Sequence, residues 1–289
     1  MHIGLFGRKP WALSSLARGF QRHGDTSSFS TFKAFDGGLN FDAAFIMSWG
    51  PDHEEMNDKI KDKMPVFWIT DGYIKRRVYG AKANYAPGVY FGISQKCPGG
   101  YGTFNYDTHP DDRWLRLGLP IPQWRPPGDS VLIGMQENPD VFGTWRNKYF
   151  KRVANYFSTD DRSAKMRVHP RFNAEVSVED TAIYGFQGEI VSAKDIPLED
   201  NLDGCDCLIT YDSNVAVEAA LLGYPVVEQG KSMAHPISTG WKNFVGGEKL
   251  RKKDLERWCH WIAYQQWTRA DMENGSAWEY IKKVLLKWN

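Results

Sequence analysis

Apolar positions along the chain fall into short blocks that switch between two periods. IGLFG, residues 3 to 7, is a compact apolar run of strand length, and the segment from Trp11 to His23 then places Trp11, Leu13, Leu16, Ala17 and Phe20 at helical spacing. FDAAFIMSW, residues 41 to 49, predicts a second strand, and the charged stretch from Asp52 to Lys63 a second helix. MPVFWIT, residues 64 to 70, is a third strand, ending on Thr70, Asp71 and Gly72. Strands alternating with helices predict a parallel sheet covered by helices. Ligands in such sheets bind beyond the carboxyl ends of the strands, where Asp71 stands.

GLPIPQWRPPGD, residues 118 to 129, carries Pro120, Pro122, Pro126 and Pro127 without periodicity and reads as an ordered, irregular linker. A second round follows it. SVLIGMQ is a strand running into a polar turn at Gln136, the stretch from about Phe142 to Phe157 is helical, and KMRVHPR is a strand stopped by His169 and Pro170. CDCLITYDSNVAVEAALLGYPVVEQG reads strand, loop, helix, tight glycine turn and strand, and two amphipathic helices from Arg251 to Trp288, broken near Asn274 and Gly275, close the chain. The expected domains are therefore 1–122, 123–250, and a helical segment 251–289 packing across both. Two domains of this size imply a cleft between them.

Composition narrows the function classes only modestly. With 42% hydrophobic and 25% charged residues the chain has the makeup of an ordinary globular protein. Thirty-six Lys and Arg against 35 Asp and Glu leave a net charge of +1, so no polyanionic partner follows from the whole chain. Aromatic content is high, with 12 Trp, 13 Tyr and 16 Phe. MHIGLFGRKP lacks the apolar core of a secretory signal, and no segment approaches the ~18 unbroken apolar residues of a membrane span, so a cytoplasmic location is expected. Of Cys97, Cys205, Cys207 and Cys259 only the middle pair is close, at a spacing unlike that of a structural zinc site. Buried free thiols are the expectation.

The chemistry-bearing residues sit at the strand ends. A helix beginning near Asn214 and Val215 would present unpaired N–H groups suited to a phosphate, with Ser213 and Asn214 adding hydrogen bonds or, alternatively, only capping the helix. Glu218, one turn later, either accepts from ribose hydroxyls or faces solvent. His169, flanked by Arg167 and Arg171, can bond a diphosphate or serve structure alone. Asp71 and Gly72 suit a strand-to-turn junction by themselves, but Tyr73, Lys75, Arg76 and Arg77 crowd the same turn.

The ordered set FWITDGYIKR, YFGIS, VLIGMQENPD, RVHPR and CDCLITYDSNVAVEAALLGYPVV resembles the capsule polysaccharide biosynthesis glycosyltransferases, which include Kdo transferases and are related in motif to bacterial polysialyltransferases. The resemblance spans roughly residues 66 to 230. It implies an α/β fold of the GT-B type, two Rossmann-like domains with parallel sheets facing across a cleft, and inverting transfer of sugar from a nucleotide-activated donor. The family's acid-acid-glycine motif stands here as Thr70, Asp71 and Gly72, so Asp71 alone inherits the role of general base. The family's His-Pro motif matches His169 and Pro170, placing His169 on the leaving phosphate, and its donor-site serine matches Ser213. Gln136, Arg167, Arg171, Asn214 and Glu218 join the expected donor site, and Gly72, Tyr73, Lys75, Arg76 and Arg77 the acceptor side, although a solvated basic turn accounts for the three cations equally well. No cofactor and no metal is expected, since no paired acidic motif suited to a metal-bound diphosphate is visible.

Acceptor and donor remain open at this point. RRVYGAKANY, RNKYFKR and GRKPW interleave cations with aromatics as nucleic-acid grooves do, which tilts the expectation toward a hydroxymethylated pyrimidine in phage-type DNA. A surface or capsular polysaccharide is the alternative acceptor. A nucleotide-sugar-binding module without catalysis is the alternative of another class. The nucleotide, CMP or UDP, is not fixed by the residues.

Overall fold

The computed structural model describes residues 1–7, 10–30, 40–47, 59–74, 89–95, 109–135, 144–168, 186, 188–192, 196–250 and 253–285. The chain divides into two compact units, Met1–Arg116 with His260–Asn289, and Leu117–Cys259. The first unit begins with β1 (His2–Gly7), α1 (Pro10–Arg22), β2 (Thr26–Ser30), β3 (Ala43–Met47), β4 (Val66–Asp71), β5 (Tyr90–Gln95) and α2 (Asp112–Leu117). The second carries β6 (Ser130–Gly134), α3 (Thr144–Phe157), β7 (Ser163–Val168), β8 (Glu189–Ser192), α4 (Leu198–Leu202), β9 (Cys205–Thr210), α5 (Val215–Leu221), β10 (Val226–Glu228), β11 (Thr239–Gly240) and α6 (Trp241–Val245). After α7 (Leu255–Ala263), the chain re-enters the first unit with β12 (Gln266–Thr268), α8 (Arg269–Glu273) and α9 (Ser276–Leu285).

The first sheet has the order β12-β5-β4-β3-β1-β2. Strands β2, β1, β3 and β4 are parallel, whereas β5 pairs antiparallel with β4, and β12 antiparallel with β5. The expected purely parallel sheet is thus parallel at its centre with an antiparallel edge, a common arrangement in large mixed sheets. All five residues of β3 are buried, which requires cover on both faces. Ile3, Leu5, Phe45, Phe67 and Ile93 meet Leu13, Leu16 and Phe20 of α1 and Trp278 of α9 on one face, while Phe6, Ile46 and Trp68 meet Phe41 and Ile60 on the other. Each fully buried side chain of this size contributes about 1.5–3 kcal/mol relative to exposure.

The second sheet, β11-β10-β9-β6-β7-β8, is parallel throughout. Read from its first strand in the chain, this is the order 3-2-1-4-5-6 of a dinucleotide-binding sheet, with the topological switch between β6 and β9. Helix α3 buries Tyr149, Phe150, Val153 and Phe157 against Val131, Ile133, Cys207, Ile209 and Val227. A register shift between β6 and β9 at Ser130 and Val131 bulges the start of β9. Cys205 therefore reaches the Asn201 carbonyl at 3.5 Å while Cys207 joins the α3 cluster. Cys205, Cys207 and Cys259 are buried free thiols, and burial pushes all three up from the ordinary thiol range. Cys97 and most of the helix expected from Asp52 to Lys63 lie outside the described residues. Residues 118 to 129 contain neither helix nor strand.

Candidate functional site

In the first unit the sequence-predicted residues Asp71, Gly72 and Tyr73 come together at the carboxyl end of β4. Asp71 is half-buried and closes the ladder opposite Phe91 of β5. Gly72 donates its N–H to the Tyr90 carbonyl at 3.0 Å, and a Cβ there would stand 2.5 Å from that same oxygen. Only glycine fits so close an approach of two backbones. The Tyr73 ring is buried over β5, where a Cβ on Gly92 would lie 2.6 Å from its Cζ. The N–H groups of Tyr73 and Ile74 both donate to Gln266 Oε1, at 3.0 and 2.8 Å. Gln266 lies on β12, 193 residues away from Tyr73, and nothing in the local sequence signals it. Lys75, Arg76 and Arg77 lie outside the described residues.

In the second unit several bonds fix the strand ends around the switch point. Tyr149 Oη donates to the Thr210 carbonyl at 3.0 Å, Thr210 Oγ1 to the Gly134 carbonyl at 3.0 Å, and Met135 N–H to the Arg167 carbonyl at 3.0 Å. Helix α5 starts beside it. Its N-cap is Asn214, whose side chain makes no capping bond, and Ser213 Oγ accepts only a long 3.4 Å bond from Val215 N–H. The capping alternative for Ser213 and Asn214 is thus weakly realised, leaving Ser213 only lightly engaged in the helix start. Arg167 donates to the Ile196 carbonyl at 2.9 Å and to Asn201 Oδ1. Burial lowers the Arg167 pKa, partly opposed by the charge of Glu218. Gln136, His169, Pro170 and Arg171 lie outside the described residues.

A cluster that sequence reasoning missed stands at the end of β10. The Glu228 carboxylate is fully buried and accepts from Ser232 Oγ at 2.6 Å, Ser232 N–H at 3.2 Å and Ser238 Oγ at 3.0 Å, with His235 Nδ1 at 2.7 Å. These bonds order the loop after β10, beside Gly230, whose N–H donates to the Tyr211 carbonyl at 2.7 Å. The only sequence signal was an acid ending the apolar run PVVE.

Across its whole length the chain is similar in structure to two proteins of Thermosulfurimonas dismutans. One is KpsC, beta Kdo 2,4 transferase, with TM-score 0.55 and 16% identity, covering 99% of this chain and 98% of that one. The other is KpsC, beta Kdo 2,7 transferase, with TM-score 0.55 and 14% identity, covering 100% of both. No protein-family model matches the chain, and no curated protein does. The fold is α/β of the GT-B type, with a Rossmann-like sheet in each unit. Among the described residues no helix is long and apolar enough to cross a membrane, and no group of three or more His, Cys, Asp or Glu is arranged to hold a metal ion.

Proposed function

We propose that this protein is an inverting glycosyltransferase that moves an ulosonic acid of the Kdo type from its nucleotide-activated form to a hydroxyl of a saccharide acceptor. Asp71 carries the reading, because it is a half-buried carboxylate at the carboxyl end of β4, which is parallel to β3 and antiparallel to β5, and it is followed by a turn whose successive N–H groups are all bonded. In the proposed step the acceptor O–H gives its proton to Asp71. Its oxygen bonds the anomeric carbon as the bond from that carbon to the phosphate breaks, and the nucleotide leaves with the electron pair. The second unit holds the donor, with Ser213, Asn214 and Glu218 beside the switch point and Gln136, Arg167, His169, Pro170 and Arg171 supplied by the motif resemblance. Lys75, Arg76 and Arg77 would meet an anionic acceptor.

The whole-chain likeness to two Kdo transferase structures supports the choice of sugar. The DNA acceptor is not supported. In RNKYFKR, Tyr149 and Phe150 are core residues of α3, not rings exposed for base stacking, and RRVYGAKANY lies outside the described residues. Against a binding module without catalysis, slow release of CMP from CMP-Kdo in the absence of acceptor is expected. The direct test is Asp71→Asn assayed with CMP-Kdo and a Kdo-terminated oligosaccharide. Transfer should fall by about 10²-fold or more, with CMP affinity by calorimetry unchanged. A rate above half that of wild type would remove Asp71 from the mechanism.

A further inference from the structure

Gln266 belongs to none of the expected site motifs, yet its side chain is fully buried at the turn that follows Asp71. Its Oε1 accepts from two consecutive main-chain N–H groups, Tyr73 at 3.0 Å and Ile74 at 2.8 Å. The amide orientation is set by those donors, because exchanging oxygen and nitrogen would press an NH2 group against two N–H groups. With the Gly72 N–H on the Tyr90 carbonyl, three successive residues after Asp71 are fixed, one by β5 and two by Gln266.

Gln266 is itself held from behind. Its Cα pairs with Gly92 of β5, the residue under the Tyr73 ring. Its carbonyl accepts from Arg113 Nη2 at 2.7 Å, and Arg113 Nε donates to the Ala263 carbonyl at 3.0 Å. The buried Arg113 guanidinium lies 3.8 Å from the Trp267 ring centroid and reaches Asp271 Oδ2 at 3.5 Å, the residue that closes a capping box with Thr268 at the start of α8. These contacts hold the main chain of Gln266 at the start of β12.

We infer that Gln266 is the positioning residue for Asp71, its side-chain oxygen clamping the turn so that the carboxylate is held where an acceptor hydroxyl can give up its proton. The inference rests on the reading of Asp71 as the base. A displacement of about 1 Å at a reacting group costs on the order of 10²-fold in rate, so a clamp two and three residues beyond the carboxylate acts on turnover and leaves donor binding in the second unit alone.

The test is a double-mutant cycle with CMP-Kdo and a Kdo-terminated oligosaccharide. Gln266→Met should lower kcat by about tenfold or more while acceptor KM changes less than about threefold, and Gln266→Glu, which keeps an acceptor oxygen at the same reach, should recover kcat to within about threefold of wild type. In an Asp71→Asn background, Gln266→Met should cost less than about twofold, because the group it positions is gone. If Gln266→Met does not fold, Gln266→Asn, which withdraws the oxygen by one bond, takes its place in the cycle. A folded variant with wild-type kcat, or a full tenfold cost in the Asp71→Asn background, overturns the clamp. An active Asp71→Asn overturns the reading of Asp71 and the clamp with it, whereas an inactive Asp71→Asn beside a fully active Gln266→Met overturns the clamp alone.

Discussion

Ser213 can be separated from its helix by a single substitution. Its 3.4 Å bond from Val215 N–H is longer than the 2.7–3.2 Å of a normal N–H to oxygen bond, so Ser213→Ala should leave the melting temperature nearly unchanged. If the hydroxyl contacts the donor phosphate, CMP affinity falls by about 1–3 kcal/mol. Calorimetry with unchanged affinity would return Ser213 to a capping role. Glu228 behaves oppositely, since its buried carboxylate collects three hydroxyl or N–H bonds and the His235 ring. Glu228→Ala strands those partners and should lower stability by about 3–5 kcal/mol, read as a drop in melting temperature. Asp71 was legible in the sequence because an acid before glycine at the end of an apolar run is a local pattern. Gln266 was not, because its bond to the turn joins residues brought together only by the pairing of β5 with β12.

Asp25, on the turn between α1 and β2, ties the start of the chain to its last helix. Its carboxylate accepts from Trp278 Nε1 at 2.7 Å and Lys282 Nζ at 2.8 Å, both on α9, and from the Met1 ammonium. Burial pushes its pKa up, but the bonds from Lys282, the Met1 ammonium and Trp278 outweigh it and hold the group at about 2, below the usual 3.8. A depressed carboxylate stabilises the fold above its unfolded pKa and loses that contribution as pH falls through its folded one. About 2 kcal/mol should therefore disappear between about pH 4 and pH 2. Urea titrations of wild type and Asp25→Asn should differ above pH 4 and converge near pH 2, and a constant gap across that window would refute the assignment. Gly19 tests a neighbouring contact, that of α1 with α8, since a Cβ there would stand 2.1 Å from the Met272 carbonyl oxygen, and Gly19→Ala should destabilise by about 1–3 kcal/mol. Helix α1 was readable from its period, because Leu13, Leu16, Ala17 and Phe20 all face the core. The three residues of β12 were not, because a strand so short has no period to read.

At the scale of the molecule, alternating strands and helices announced two α/β rounds, yet neither strand order nor the antiparallel edge of the first sheet can be read from a linear pattern, since both depend on pairings between distant segments. The proposed acceptor is tested at this scale too. A net charge of +1 supplies no general attraction for a polyanion, and the aromatic residues of RNKYFKR are spent on the core of the second unit. Association with DNA should therefore be weak even near 50 mM salt, and its logarithm should show little slope against salt, because few phosphate contacts release counterions. Transfer from CMP-Kdo should run onto a Kdo-terminated oligosaccharide and leave hydroxymethylated DNA unmodified. It should also persist in EDTA, since the proposed step asks only for a carboxylate base, cations and N–H groups at the leaving phosphate. Mass spectrometry of both acceptors in one reaction reads these outcomes together. Sugar on the DNA, with a salt slope of several units in its binding, would place the functional surface in the basic segments around residues 76 to 85 and displace the saccharide acceptor.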